Sequence, residues 1–307
     1  MTYAPIGLFA YNRPEHIARA LRALAANPEL AESPVTIFCD GPKSDAGRAK
    51  TDAARAAARA HAPAHATFVE REANQGLARS MRAGVTELCE QYGRAIVVED
   101  DLEPSPTFLR FMNRALDRYA DDDKVMQVSG YQWPIDVRGS DDALFLPMIS
   151  TWGWGVWARS WAKLDGGASF YDRMKTDADL RRRFDLDGAF PYFDMLRSQR
   201  LGEIDSWGIQ WNLDVFANDG LVLYPRKSLI ANRGHDGSGT HREASSPFES
   251  DAHPFIPHAL PTQLRLDPVQ VEQLRDFVRD ASRGTMRNRV GRLLSRARST
   301  AKAWVRR

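Results

Sequence analysis

The first 130 residues alternate short apolar runs with longer amphipathic ones. "PIGLFAY" is continuously apolar over the length of one strand. "RPEHIARALRALAANP" follows, with Ile17, Leu21 and Leu24 at helical spacing behind Pro14, a residue favoured in a helix's first turn. "VTIFCDG", "ATFVERE", "RAIVV" and "VMQVSGY" predict further strands. Between them lie an Ala/Arg-rich helix over about 46–61, a helix in "NQGLARSMRAGVTELCEQYG" and another in "SPTFLRFMNRALDRYADD". Strands separated by helices of this length imply right-handed crossovers and a mostly parallel central sheet flanked by helices, an α/β fold.

From about Tyr131 the pattern changes to Trp-rich and Gly-rich turns, short helices and one clear strand, "GLVLYP". No internal repeat or long low-complexity linker separates the parts. The expected division is 1–130, 131–262 and a C-terminal helical tail, 263–307. The first two should pack as one unit, the second covering the carboxyl ends of the sheet strands. In residues 285–307, Met286, Val290, Leu293, Leu294, Ala297, Ala301, Trp304 and Val305 mark one face of a helix, and arginines occupy much of the other. Such a basic amphipathic helix suits an anionic lipid surface, or else packs on its own body or on a second subunit.

Composition narrows the class. A chain of 307 residues, 43% hydrophobic and 27% charged, is globular in character and long enough for a sizeable core. The N-terminal stretch has no basic n-region followed by a long apolar segment, so no signal peptide is expected. No run approaches the roughly 20 apolar residues of a membrane span. Cys39 and Cys89 sit in apolar segments without metal spacing, which points to a reduced, cytoplasmic compartment. The net charge is +2, yet residues 285–307 carry eight Lys/Arg and no acid. The remaining body is therefore acidic, which argues against nucleic acid as its partner.

In open parallel sheets, ligands bind beyond the carboxyl ends of the strands. Three predicted strands end in polar residues: Tyr11-Asn12-Arg13, Asp40-Gly41 and Glu99-Asp100-Asp101. Acids are poor strand residues, and three in a row repel one another. A hard divalent cation, Mn²⁺ or Mg²⁺, would neutralise them while gripping a diphosphate. The alternative is a solvated acidic turn that starts the next helix.

"AIVVEDDLEPSPTFLRFM" resembles the Glu-Asp-Asp form of the DxD motif in nucleotide-sugar glycosyltransferases of the Rossmann-like GT-A fold. It is most similar to the alpha-mannoside beta-1,2-N-acetylglucosaminyltransferase family. "PIGLFAYNRPEHIARALRAL" resembles that family's opening strand and helix, and "VTIFCDG" its uracil-contacting strand. "NQGLARSMRAGV" resembles the Asn-x-Gly turn and helix of inverting transferases of this fold. "TWGWGVWARSWAKLD" resembles the acceptor segment, and "EIDSWGIQWNLDVF" the segment carrying the catalytic base. The last, with "GHDGSGTH", is also similar to bacterial family-2-like transferases of polysaccharide assembly. The likeness spans roughly residues 3–242.

The resemblance implies roles. Asp101 would ligate the metal, and Glu99 and Asp100 would touch the ribose or donor sugar. Asp40 would accept from the uracil N–H, Arg13 would contact base or phosphate, and Asn74 and Gly76 would line the site or simply start a helix. Asp205 would be the base that deprotonates the acceptor hydroxyl, with Glu203 second and Asp214 third. In the eukaryotic family the acids abut the Trp, whereas here Ser206 intervenes. The loop "NRGHDGSGTHRE" would close over the diphosphate, with His235 reaching metal or phosphate and His241 beside it. Trp152 and Trp154, in an expected Gly-flanked loop, and Trp207 are candidates for stacking on sugar; Trp157 and Trp161, spaced i, i+4, are expected in the core.

These expectations add up to a metal-dependent, inverting glycosyltransferase with a UDP-linked donor and a glycan or lipid-linked acceptor. In that reading 1–130 is the nucleotide-sugar-binding half and 131–262 the acceptor and catalytic half. Two alternatives stay open. A sugar nucleotidyltransferase shares the fold, but its Gly-rich first loop is replaced here by "AYNRPEH", without glycine. A glycan-binding protein would keep the fold without turnover.

Overall fold

The computed structural model describes residues 2–139, 141–236, 247–256 and 258–283. The basic segment 285–307 and His241 lie outside the described residues.

Six strands of the main sheet run the same way. β1 (Ile6–Ala10), β2 (Val35–Cys39), β3 (Thr67–Glu70) and β4 (Arg94–Glu99) pair in parallel in the order β3-β2-β1-β4. β5 (Leu102–Pro104) leaves the main sheet. β6 (Val125–Ser129), β7 (Ala143–Leu146), β8 (Trp154–Trp157) and β9 (Leu221–Pro225) extend it as β4-β8-β6-β9-β7. β8 runs antiparallel between β4 and β6, pairing Val97 with Trp154 and Ser129 with Trp154. β7 closes the edge, antiparallel to β9. The expected mostly parallel α/β sheet is present. Both halves of the chain contribute to it, so they form one continuous unit.

Side-chain alternation sorts the core into two layers. Ile6, Leu8, Ala10, Ile96 and Val98 face one layer with Ile17, Leu21 and Leu24 of α1 (Pro14–Ala25). Phe9, Phe38, Ala95 and Val97 face the other with Met81, Val85 and Leu88. α2 (Asp45–His61) packs beside α1, and the second layer is built on α3 (Leu77–Tyr92). α4 (Phe108–Arg118) joins the first layer. Phe9 and Phe38 stack at 4.8 Å. Gly84 of α3 lies over them, and a Cβ there would stand 2.9 Å or less from the Phe9 ring. The bare backbone is what lets α3 settle on the sheet.

Short helices then follow: α5 (Ala158–Trp161), α6 (Ala168–Met174), α7 (Ala178–Phe184), α8 (Tyr192–Arg200) and α9 (Trp207–Ala217). A further helix over 268–283 buries Leu274 and Val278 in the second layer, so the start of the expected C-terminal tail belongs to the body. Among the described residues no helix is long and apolar enough to cross a membrane.

The sequence expectation of a single strand in the second half is corrected. β7, β8 and the short β10 (Ile230–Asn232) join β9 there. β8 was hidden because Gly153 and Gly155 read as loop residues. In the fold Gly155 pairs opposite Ile96, and a Cβ would crowd Met112 at 3.0 Å.

Candidate functional site

β2, β1 and β4 are neighbours, so their polar ends meet at one edge. The Asp100 N–H donates to the Phe9 carbonyl at 3.0 Å, and the Asp40 N–H to the Ala10 carbonyl at 2.9 Å. The parallel ladder thus carries the three ends into register.

Arg13, in the turn between β1 and α1, is the cation of this edge. Its Nη2 donates to Asp100 Oδ1 and, at 2.9 Å, to Asp101 Oδ2. The Tyr11 N–H also reaches Asp100 Oδ2 at 3.4 Å. Burial would lower the Arg13 pKa, but the ion pairs with Asp100 and Asp101 outweigh it and hold the guanidinium above the usual arginine value. One cation does not balance three acids. Burial, then the charges of Asp101 and Asp100, push the Glu99 carboxyl well above the carboxylate range. Burial also raises Asp100, although Arg13 opposes it. The edge is short of positive charge.

Beyond Asp101 the chain enters β5, which pairs antiparallel with β10, Leu102 opposite Asn232. The Arg233 N–H continues that ladder to the Asp101 carbonyl at 2.8 Å. Gly234 is therefore delivered to Asp101 by backbone pairing. A Cβ on Gly234 would overlap Asp101 Oδ2, so the bare Gly234 backbone packs directly against that oxygen. Among the described residues, His235 Nδ1 is buried without a hydrogen-bond partner. The other side of the His235 ring meets Trp152 edge-on at 5.8 Å, and Trp152 meets Tyr131 at 4.7 Å. Below the loop, His16 Nε2 of α1 lies 3.2 Å from Asp236 Oδ2. A carboxylate oxygen and an imidazole nitrogen are ligand types that Mn²⁺ accepts, commonly one or two from the protein with waters and phosphates. No group of three His, Cys, Asp or Glu suited to a metal forms among the described residues.

Asp40 requires a correction. Its Oδ1 accepts from the N–H groups of Gly41 (2.8 Å) and Gln75 (2.9 Å); its Oδ2 accepts from Asn74 Nδ2 (2.9 Å) and the Gly76 N–H (3.0 Å). Four donors use the lone pairs a uracil N–H would need. Asp40 instead ties down the Asn74-Gln75-Gly76 turn. Asn74 is spent on the same task, its second hydrogen going to the Gly41 carbonyl at 3.0 Å. A lone Asp at a strand end gives no sign of which donors will claim it.

Asp205, from the loop before α9, lies beside that turn. Its Oδ2 is 3.5 Å from the place a Cβ on Gly76 would occupy, and the carboxylate is exposed. Gly76 has φ +83, a left-handed backbone that favours glycine. Glu203 is exposed as well, but its Oε2 accepts from Ser198 Oγ at 2.7 Å. Asp214 is fully buried in α9 and accepts from the Asp165 N–H (2.9 Å) and the Gly167 N–H (2.7 Å). It pins the α5–α6 loop and has no route to an acceptor, so its third place among candidate bases is withdrawn.

From Asp205 a groove of about 740 Å³ runs along α3, lined by Gln75, Arg79, Thr86, Gln199 and Trp207 among others. Of the expected stacking residues, Trp154 is a correction. It is fully buried on β8 and stacks on Trp207 at 5.3 Å. Trp207 is buried as well, although it lines the groove. Trp157 and Trp161 lie in the core as the spacing predicts. Trp152 alone of the three is partly exposed, just ahead of β8 and against His235. Gly234, Tyr131 and His16 were not singled out in the sequence; only the glycine richness of the loop pointed toward the first.

Comparison with known proteins gives likenesses of shape. No protein-family model and no curated protein matches the sequence. Among solved structures, the chain is similar to GalNAc-T7 with UDP, GalNAc and Mn²⁺, at 9% identity over 80% of this chain and 46% of that one, with a TM-score of 0.46. It is also similar to the mannosyltransferase PcManGT from Pyrobaculum calidifontis with GDP-Man and Mn²⁺, at 17% identity over 56% of this chain and 47% of that one, with a TM-score of 0.37. A third is a putative nucleotide-diphospho-sugar transferase from Desulfovibrio desulfuricans G20, at 13% identity over 54% of this chain and 69% of that one, with a TM-score of 0.33. The chain spans less than half the length of the first two.

Proposed function

We propose that the chain is a metal-dependent, inverting glycosyltransferase that moves a sugar from a nucleotide-sugar donor, UDP-linked, to a glycan or lipid-linked acceptor. The observation that supports this reading is the gathering of Arg13, Asp100 and Asp101 at the carboxyl edge of a parallel sheet, with the Gly234 backbone packed against Asp101 Oδ2. Asp101 and His235 would hold Mn²⁺ or Mg²⁺. The ion, when bound, supplies Lewis-acid stabilisation to a departing nucleoside diphosphate.

The chain's own residues would do the rest. Glu99 and Asp100 stand beside Asp101 where the ribose and donor sugar would lie. Arg13 offers a guanidinium to the diphosphate. Asp205, exposed at the head of the α3 groove, would take the proton from the acceptor hydroxyl as its oxygen attacks the anomeric carbon, inverting the centre in a single displacement. Glu203 is less suited because Ser198 occupies it. The groove's amide, hydroxyl and arginine edges suit a hydroxyl-rich acceptor. Trp152 is placed to cover a sugar face.

A role in bacterial surface-polysaccharide assembly, at the inner face of the membrane through residues 285–307, completes the proposal. A panel of nucleotide sugars, each with Mn²⁺ and with chelator, tests it by donor hydrolysis and transfer. Turnover that ignores chelator, or full activity in Asp101→Ala, would overturn it.

A further inference from the structure

Arg13 holds both carboxylates through a single nitrogen. Nη2 bonds Asp100 Oδ1 and Asp101 Oδ2, and among the described residues neither Nε nor Nη1 makes a hydrogen bond. Arginine usually meets carboxylate or phosphate with two nitrogens of its planar fork. Here most of the fork stays uncommitted. The oxygen that Arg13 holds on Asp101, Oδ2, is also the one against which the Gly234 backbone packs. The side chains of Arg13 and Asp101 are each 19% exposed, so the pair sits at the mouth of the site.

We propose that Arg13 is a resident counter-ion for Asp100 and Asp101, and that it changes partner when the site fills: the divalent cation takes Asp101 Oδ2, and the released guanidinium moves to the donor's diphosphate. This rests on the metal-dependent reading above. A guanidinium and a divalent ion sharing one carboxylate oxygen would stand within about 5 Å of each other, and their repulsion favours release. The diphosphate brings the negative charge that gives Arg13 a new partner. Without ligand, the same arginine keeps adjacent buried acids from repelling one another. Arg13 is thus a positioning residue whose contacts couple metal binding to donor binding.

The test measures Mn²⁺ and UDP binding to the full chain by calorimetry, for wild type, Arg13→Gln and Arg13→Lys. Without nucleotide, Arg13→Gln should bind Mn²⁺ at least tenfold more tightly than wild type, because no internal cation competes. At saturating Mn²⁺ it should bind UDP at least tenfold more weakly. The factor by which UDP tightens Mn²⁺ should shrink in the variant, since coupling between two ligands is reciprocal and part of it passes through Arg13. Thermal melts give a second readout: Arg13→Gln should melt below wild type without metal and gain more from added Mn²⁺. If Arg13→Gln does not fold, Arg13→Lys, with a point charge on a shorter reach, should show the same changes at reduced size. Unchanged or weaker Mn²⁺ binding in the folded variant, with normal binding in wild type, overturns the partner change and leaves the glycosyltransferase reading standing. No Mn²⁺ binding in wild type, with or without UDP, overturns both.

Discussion

Gly234 is seated so closely over the Asp101 carboxylate that a methyl group on its Cα would overlap Oδ2. The contact is made by the β5–β10 ladder and fills the mouth of the proposed metal site with backbone alone. Gly234→Ala should therefore weaken Mn²⁺ binding tenfold or more while leaving the melting temperature within a few degrees, because the residue lies on an accessible loop. Asp101→Asn should abolish Mn²⁺-dependent turnover, a loss of at least a hundredfold in kcat/KM, roughly 3 kcal/mol of transition-state stabilisation. Titration calorimetry and steady-state rates check both. Wild-type Mn²⁺ affinity in Gly234→Ala would show that the metal approaches elsewhere.

Asp205 should matter to the rate and not to donor affinity. Asp205→Asn removes the proton acceptor while keeping the shape, and kcat should fall by about 10² to 10⁴. UDP and Mn²⁺ affinities should stay within twofold. Glu203→Gln should retain most activity. A reversed pattern would assign the base to Glu203.

Asp40 carries a stability prediction. Asp40→Asn turns an NH₂ toward donors that now share four acceptor bonds. The cost should be roughly 2–4 kcal/mol, measured by urea unfolding, with the Asn74–Gly76 turn loosened. A change under about 0.5 kcal/mol would mean that the carboxylate is free for a ligand.

Asp214 should leave a pH signature. Burial pushes its carboxyl up to about 6, against the lowering effect of the Asp165 and Gly167 N–H groups. A carboxyl whose folded pKa is raised binds more protons folded than unfolded. Its effect is absent at low pH and grows as pH rises from about 4 to about 6, where holding the buried carboxylate costs stability. The loss across that window should be on the order of 3 kcal/mol. Asp214→Asn should flatten this part of the stability-against-pH curve. An unaltered slope would exclude Asp214 as its source.

The acidic sheet edge was legible in the sequence because its signals are local. Apolar runs ending in acids placed Glu99, Asp100 and Asp101, and the turn after β1 placed Arg13. The role of Asp40 was not legible, since which donors meet a carboxylate depends on how Asn74-Gln75-Gly76 folds back across 34 to 36 positions. Trp154 misled for a related reason. Glycines on either side read as a loop, whereas here they let a strand lie flat against Met112 and Phe108. The approach of Gly234 to Asp101 arises from strand pairing more than 120 residues apart in the chain, which no short-range periodicity records.

Strand β8 has a consequence for ancestry and engineering. Because it is laid between β4 and β6, a polypeptide cut near residue 130 would leave the acid-bearing strand with a bare flank, open to pairing with another molecule. The two halves cannot be traded as cassettes between homologues, and a chimera would have to splice at surface loops.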